Sequence, residues 1–235
     1  MSPFYFAFFL CFLLIPTNQK ILYSEAMNVV LLGPQGSGKG TQGELLAEKT
    51  GMYYFDAGAY LREISKTRPD IDEIVNKRGA LLPDDMVYKL VRDHFIEKNQ
   101  FDNIIFDGYP RSLPQWNLIS EFLKSHGTTV EKVFLLTINE EETVRRLSAL
   151  RIDPNTDIIY NLITNPPPPT VDQSTLIHRE DDQPEAIKVR LSAYHTSTQP
   201  LVNELRSQGK LIEIDGTQSI TDIHQHILEK MSQNS

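Results

Sequence analysis

A single cysteine and a single tryptophan occur in 235 residues. Cys11 has no second thiol with which to close an internal disulfide, and no Cys/His group has the spacing of a structural zinc site. A disulfide scaffold and dithiol redox chemistry are excluded, and no structural zinc is expected. Basic residues are also short: 23 Lys+Arg against 31 Asp+Glu leave a net charge of −8, which repels a polyphosphate backbone and argues against a nucleic-acid partner. Any anionic ligand must therefore be met by basic residues placed locally. Long apolar runs are missing too, since Phe4 to Ile15 gives twelve residues where a bilayer-spanning helix needs about 20.

That run has the length of a signal-peptide core, and Ser24 and Ala26 form a small-x-small pair. No Lys or Arg precedes it, however, and eleven residues separate it from that site. Met27 is followed at once by a strand-like segment. Residues 1–26 therefore read as an apolar leader outside the fold, and the protein as cytoplasmic, with membrane anchoring or export through residues 4–15 as the alternative.

What is present is ordinary globular material, 40% apolar and 23% charged, with chain enough to bury one large core. The runs NVVLL after Met27, NIIF at 103–106, KVFLLTI at 132–138 and KLIEI at 210–214 are short, β-rich and continuously apolar, as strands buried on both faces of a parallel sheet are. Between them, 39–50, 83–98, 114–125, 140–150 and 183–207 carry helical spacing. The alternation predicts a doubly wound α/β fold. Segment 151–182 interrupts it with Asp153-Pro154 and the run Pro166 to Pro169, and with β-like pieces at 158–163 and 175–178. An inserted flap is expected there rather than a linker.

The loop Gly33-Pro34-Gln35-Gly36-Ser37-Gly38-Lys39-Gly40-Thr41 leaves the first strand and opens a helix. Its glycines let backbone N–H groups turn inward, the helix N-terminus adds partial positive charge, and Lys39 supplies a full one, the requirements of a phosphate cradle. The pattern Gly-x-x-x-x-Gly-Lys-Ser/Thr is met except that Gly40 intervenes before Thr41. With that extra glycine, GPQGSGKGTQ resembles the phosphate loop of the adenylate kinases and related nucleoside monophosphate kinases. Further residues carry the same resemblance: Asp107-Gly108-Tyr109-Pro110-Arg111, Gln115, Arg179-Glu180-Asp181-Asp182 with Arg190, and Asp215-Gly216-Thr217. They span about 28–225 in the family's order.

The resemblance implies a five-stranded parallel sheet in a phosphate-loop domain over 27–235, with a helical acceptor-binding insertion at 56–82 and a lid at 149–182. It implies reversible transfer from MgATP to AMP, giving two ADP, by a monomer with no membrane partner. On this reading ATP is held by Gly33, Gly36, Ser37, Gly38, Lys39, Gly40, Thr41 and Arg146. AMP is held by Ala57, Arg62, Leu82, Gly108, Arg111 and Gln115. Lys39, Arg111, Arg179 and Arg190 form the catalytic set, because aligning two phosphates and neutralising their charge calls for cations rather than a nucleophile. Asp107 steers Mg²⁺ through water, with an N-cap or buried hydrogen-bonded role as its alternative. Asp181 and Asp182 sit at the lid hinge, where a solvated charge run competes. His94, His126, His178 and His195 have no partners at ligand spacing and are assigned nothing.

Departures from the family are also visible. Its acceptor motif Ser/Thr-Gly-Asp-x-Leu-Arg is here Ala57-Gly58-Ala59-Tyr60-Leu61-Arg62, so a hydroxyl and a carboxylate are lost, and uridylate and cytidylate kinases share the alanine. Its paired lid arginines are Leu150 and Arg151, its following histidine is Asn161, and four zinc-binding positions hold Asp153, Thr156, Asp172 and Thr175, a set suited to hydrogen bonding. Gln115 and the long lid favour AMP as acceptor. A UMP/CMP kinase and a weakly catalytic nucleotide-binding protein stand as alternatives.

Overall fold

The computed structural model describes residues 26–74, 82–156, 158–178 and 184–233. The leader apart from Ala26, Arg179, Asp181 and Asp182 lie outside the described residues. Five parallel strands, β1 (Val29–Leu32), β2 (Tyr53–Asp56), β3 (Ile104–Asp107), β4 (Lys132–Thr137) and β7 (Leu211–Asp215), form a sheet in the order β2-β3-β1-β4-β7. β1 and β3 are buried along their whole length because helices cover both faces. Their side chains alternate between two cores. Val30, Leu32, Ile104 and Phe106 join the cluster under α4 (Asp84–Lys98), α5 (Leu113–Ser125) and α8 (Gln199–Ser207). Val29, Leu31 and Ile105 join the one under α1 (Lys39–Thr50) and α9 (Ile220–Ser232). The chain reverses its winding direction at β1, so the ends of β1 and β3 open side by side into a crevice, the place where open α/β sheets receive ligands.

Sequence periodicity locates four of these strands but passes over β2, whose YYFD is half-buried at the sheet edge and lacks an apolar run. It also passes over α9. The short helices α2 (Ala57–Ser65) and α3 (Pro69–Asp72) lie in the described part of 56–82.

Two helix boundaries differ from expectation. The helix expected at 140–150 is α6 (Glu140–Ser148), because Leu150–Ile152 turns outward as β5 to pair antiparallel with β6 (Ile159–Asn161), and Ile177 bridges to Ile152. The single helix expected at 183–207 is α7 (Pro184–Ala193), one widened π turn at Tyr194–Thr198, and α8. Pro200 cannot donate a backbone bond and its ring excludes the carbonyl four residues back, so the helix widens until the Gln199 N–H reaches the Tyr194 carbonyl. No described helix is long and apolar enough to cross a membrane.

α1 crosses the edge strand at Gly43, where an added Cβ would lie 2.2 Å from the Tyr54 ring. Alanine would gain up to about 1 kcal/mol of helix propensity, but overpacking of this kind costs about 1–3 kcal/mol, and Tyr54 cannot swing aside without losing its hydroxyl's bond to Asp107. Gly43→Ala should therefore lower the urea midpoint with an unchanged m-value. A midpoint at or above that of the wild type would show that the strand gives way freely.

Candidate active site

The loop after β1 is shaped by close approach. Gly33 turns out of the strand at φ 140°, and a Cβ there would lie 2.4 Å from the Leu136 carbonyl oxygen, so no other residue passes. Gly36 and Gly38 take left-handed conformations, Ser37 is fully buried between them, and Gly38 begins α1 without a side-chain cap. The first-turn N–H groups of Lys39, Gly40 and Thr41 are thereby left to an outside acceptor. Lys39 folds back over the loop, donating to the Gly33 and Pro34 carbonyls at 2.8 Å each.

Burial pushes the Lys39 ammonium down to about 8; Arg111 adds to this, while Asp107 and Asp56 oppose it. A base whose value is depressed loses its charge as pH rises through that value, and phosphate binding needs the charge. Affinity for the triphosphate that the loop is expected to hold should thus fall about tenfold between pH 7 and pH 9, the ratio of protonated fractions for a group at about 8. Calorimetric titration at the two pH values reads this directly, and equal affinities would show that Lys39 stays charged.

β3 ends on Asp107, whose Oδ2 accepts the Tyr54 hydroxyl at 2.9 Å, and whose Oδ1 has no hydrogen-bond partner among the described residues. Burial pushes this carboxyl up, Asp56 pushes the same way, and Lys39, Arg111 and the tyrosine bond pull it back. Four residues on, Arg111 is held along its whole length. Its N–H goes to Gln115 Oε1 at 2.7 Å, its carbonyl accepts Thr198 Oγ1 at 2.9 Å, and its Nε donates to the Gly108 carbonyl at 2.6 Å. Burial lowers its guanidinium, and the nearby charges of Arg190 and Arg62 lower it further.

Arg62, on α2, lies 3.9 Å from Asp56 and is partly exposed at the crevice. Asp56 also caps α2, accepting the Gly58 and Ala59 N–H groups at 2.8 and 3.0 Å. A carboxylate thus stands at the start of α2 from position 56, which the motif alone does not reveal. Ala57 and Leu82 are buried in one core cluster beneath this edge, and Leu82 leads into α4, whose Asp84 bonds Gln115 at 2.8 Å. Buried Gln115, expected to meet the acceptor base, uses one end of its amide on the Arg111 N–H and the other on Asp84, as a buried amide must find partners.

Across the loop, buried Arg146 donates to Glu142 and, at 3.3 Å, to the Gly36 carbonyl, so α6 is fastened to the phosphate loop. Hydrogen bonds from Arg145 and Arg146 hold Glu142 down at about 2. Asp215-Gly216-Thr217 closes the floor, with the Gly216 N–H on the Thr137 carbonyl at 2.9 Å and the Thr217 hydroxyl on Asp215 at 2.7 Å.

Comparison with known proteins bears on this arrangement. A family model described as "Adenylate kinase" matches residues 31–210. The adenylate kinase of Chloroherpeton thalassium is 35% identical over 212 residues, covering 86% of this chain and 97% of its own. That of Thermotoga petrophila is 36% identical over 210 residues, covering 86% and 95%. That of Methanothrix thermoacetophila is 34% identical over 213 residues, covering 88% and 99%. The chain belongs to the adenylate kinase family. It is accordingly a nucleotide-binding phosphotransferase.

Seen as an adenylate kinase, its departures are structurally resolved. Leu150, in the place of a lid arginine, packs against Leu147, Ile187 and Leu191. Arg151 donates to the carbonyls of Ser148 and Leu150. Asn161 Nδ2 donates to the Arg146 carbonyl at 2.9 Å and its Oδ1 accepts the N–H groups of Ile163 and Thr164. The polar set forms two local pairs, Thr156 Oγ1 on Asp153 at 2.9 Å and Thr175 Oγ1 on the Asp172 carbonyl at 2.8 Å. Among the described residues no group of three or more His, Cys, Asp or Glu could hold a metal. Mg²⁺ that arrives on a nucleotide needs no such cage, and the available Oδ1 of Asp107 is a hard oxygen suited to its hydration shell.

Sequence reasoning missed Asp56, Tyr54, Asp84 and Glu142. Asp56 stands directly before a helix, the position of a capping acid, and Glu142 is four residues from Arg146, a helix-pair spacing; both signals were legible. Tyr54 and Asp84 have no such local signal.

Proposed function

We propose that the protein transfers the terminal phosphoryl group of MgATP to AMP, reversibly, giving two ADP. The observation that carries this reading is the convergence of Lys39, Arg62 and Arg190 on Arg111, each close enough for its charge to be felt by the Arg111 or Lys39 side chain, above the ends of β1 and β3. An acidic chain that gathers four cations in one crevice presents them to polyanions, and two phosphate groups are what such a set neutralises.

On this reading Arg62 and Arg111 orient the acceptor phosphate, while Lys39 and Arg190, with Arg179, stabilise the transferring group. A phosphate oxygen of AMP forms the new P–O bond as the bond to the β-phosphate oxygen of ATP breaks, so no side-chain nucleophile is required. Mg²⁺ arriving with ATP would supply additional neutralisation, and Asp107 is the residue that would hold its water. Arg146 lies beside the loop for the donor nucleotide, the insertion at 56–82 carries the acceptor, and the segment 149–182 excludes water as a lid. The enzyme works as a monomer in the cytoplasm.

A coupled assay with ATP and each of AMP, CMP, UMP and GMP tests this. AMP should give the highest kcat/KM. A higher value with CMP or UMP would overturn the acceptor assignment, and no transfer to any acceptor would overturn the reaction itself.

A further inference from the structure

Gln115 is 5% exposed and its amide is bonded at both ends, Oε1 accepting the Arg111 N–H at 2.7 Å and Nε2 donating to Asp84 Oδ1 at 2.8 Å. These two partners decide which end of the amide is which. A main-chain N–H requires an oxygen and a carboxylate requires a donor, so turning the amide over would exchange two attractions for two repulsions. An amide offers two N–H groups and two oxygen lone pairs. One of each is used, and one of each is left for a ligand, in an order that cannot invert while both partners are in place. The Arg111 N–H is backbone and is fixed by the fold; Asp84 is a side chain 31 positions away that could have been otherwise.

We propose that Asp84 is a positioning residue that locks the Gln115 amide, and so selects a 6-aminopurine monophosphate over a 6-oxopurine one. This rests on the reading of Gln115 as the residue that meets the acceptor base. A 6-aminopurine shows a donor at its exocyclic nitrogen beside a bare ring nitrogen. A 6-oxopurine shows the reverse, an acceptor oxygen beside a ring N–H. An amide free to turn could meet either; a locked amide meets one, and the mismatched base leaves buried polar groups unpaired.

Asp84 has a competing structural role, because it and Asp85 both lie in the first turn of α4, where the helix dipole favours acid. Asp85 is exposed and makes the control. In Asp84→Asn the new side chain can accept from Nε2 or donate to a turned oxygen, so only the Arg111 N–H still orders the amide and the lock is weakened. In the full chain with saturating ATP, Asp84→Asn should raise KM for AMP about tenfold with kcat within about twofold and KM for ATP unchanged. The ratio of kcat/KM for AMP to that for GMP should fall about tenfold. Asp84→Ser, which keeps a helix-start side chain without the carboxylate, should behave the same way; Asp84→Glu should restore much of the ratio, and Asp85→Asn should leave it unchanged. An AMP-to-GMP ratio within twofold of wild type in both Asp84→Asn and Asp84→Ser overturns the proposal, as does an equal shift in Asp85→Asn. Wild-type protein that does not phosphorylate AMP would instead overturn the acceptor reading, whatever the variants do.

Discussion

Replacing Lys39 by alanine should lower kcat a hundredfold or more, about 3 kcal/mol of transition-state stabilisation. The ammonium rests on the Gly33 and Pro34 carbonyls, within the loop that would receive the phosphates, and is the one full charge in that loop. No neighbour can replace it, since Arg111 is tied to Gly108 and Arg146 to Glu142 and Gly36. Its charge is also partly desolvated, which strengthens each of its interactions with a ligand while costing the unliganded fold something to keep it. The variant should therefore melt within a few degrees of wild type. Loss of activity together with loss of folding would speak of a structural lysine, and a kcat within tenfold of wild type would remove Lys39 from the transfer step.

Arg111→Ala should have an effect of the same order on kcat, and Arg111→Lys should fare little better. The guanidinium spends Nε on the Gly108 carbonyl and still keeps its two terminal nitrogens for a pair of phosphate oxygens. A lysine has one nitrogen on a flexible stem and must give up either the anchor or the fork. Because the main chain of Arg111 is gripped by Gln115 and Thr198 whatever its side chain, both variants should fold. The expected result in the coupled assay is a fall in kcat/KM for AMP of about a hundredfold for each, with KM for ATP nearly unchanged. Arg111→Lys at more than a tenth of wild-type activity would show that charge alone suffices at this position.

The central strands were legible because burial on both faces leaves an unbroken apolar run, as in VVLL and IIF. β2 was not, since an edge strand buries one face and part of another, and Tyr53 and Tyr54 disguise it. α9 could have been read from Ile223, Ile227 and Met231, one face of a helix at four-residue spacing, all of them buried. The loop, Asp107 and Arg111 were legible because each is set by backbone geometry within a few residues. The setting of Gln115 was only half legible: its place follows from the local motif, whereas its bond to Asp84 joins residues that only the folded chain brings near. The widened turn before α8 has a cause in Pro200, but a proline signals several outcomes, and the bond from Thr198 to the Arg111 carbonyl within that turn has no signal in the local sequence.

Leu150 gives the root of the β5–β6 hairpin a greasy bearing, seated on Leu147, Ile187 and Leu191, where the family motif that this chain resembles has an arginine. The two kinds of joint answer to different variables. An ionic joint slackens as salt screens it, whereas an apolar one is indifferent to ionic strength and loosens in the cold, with a heat-capacity change as its signature. In this chain the hold of the hairpin on α6 and α7 should accordingly weaken on cooling more than on added salt.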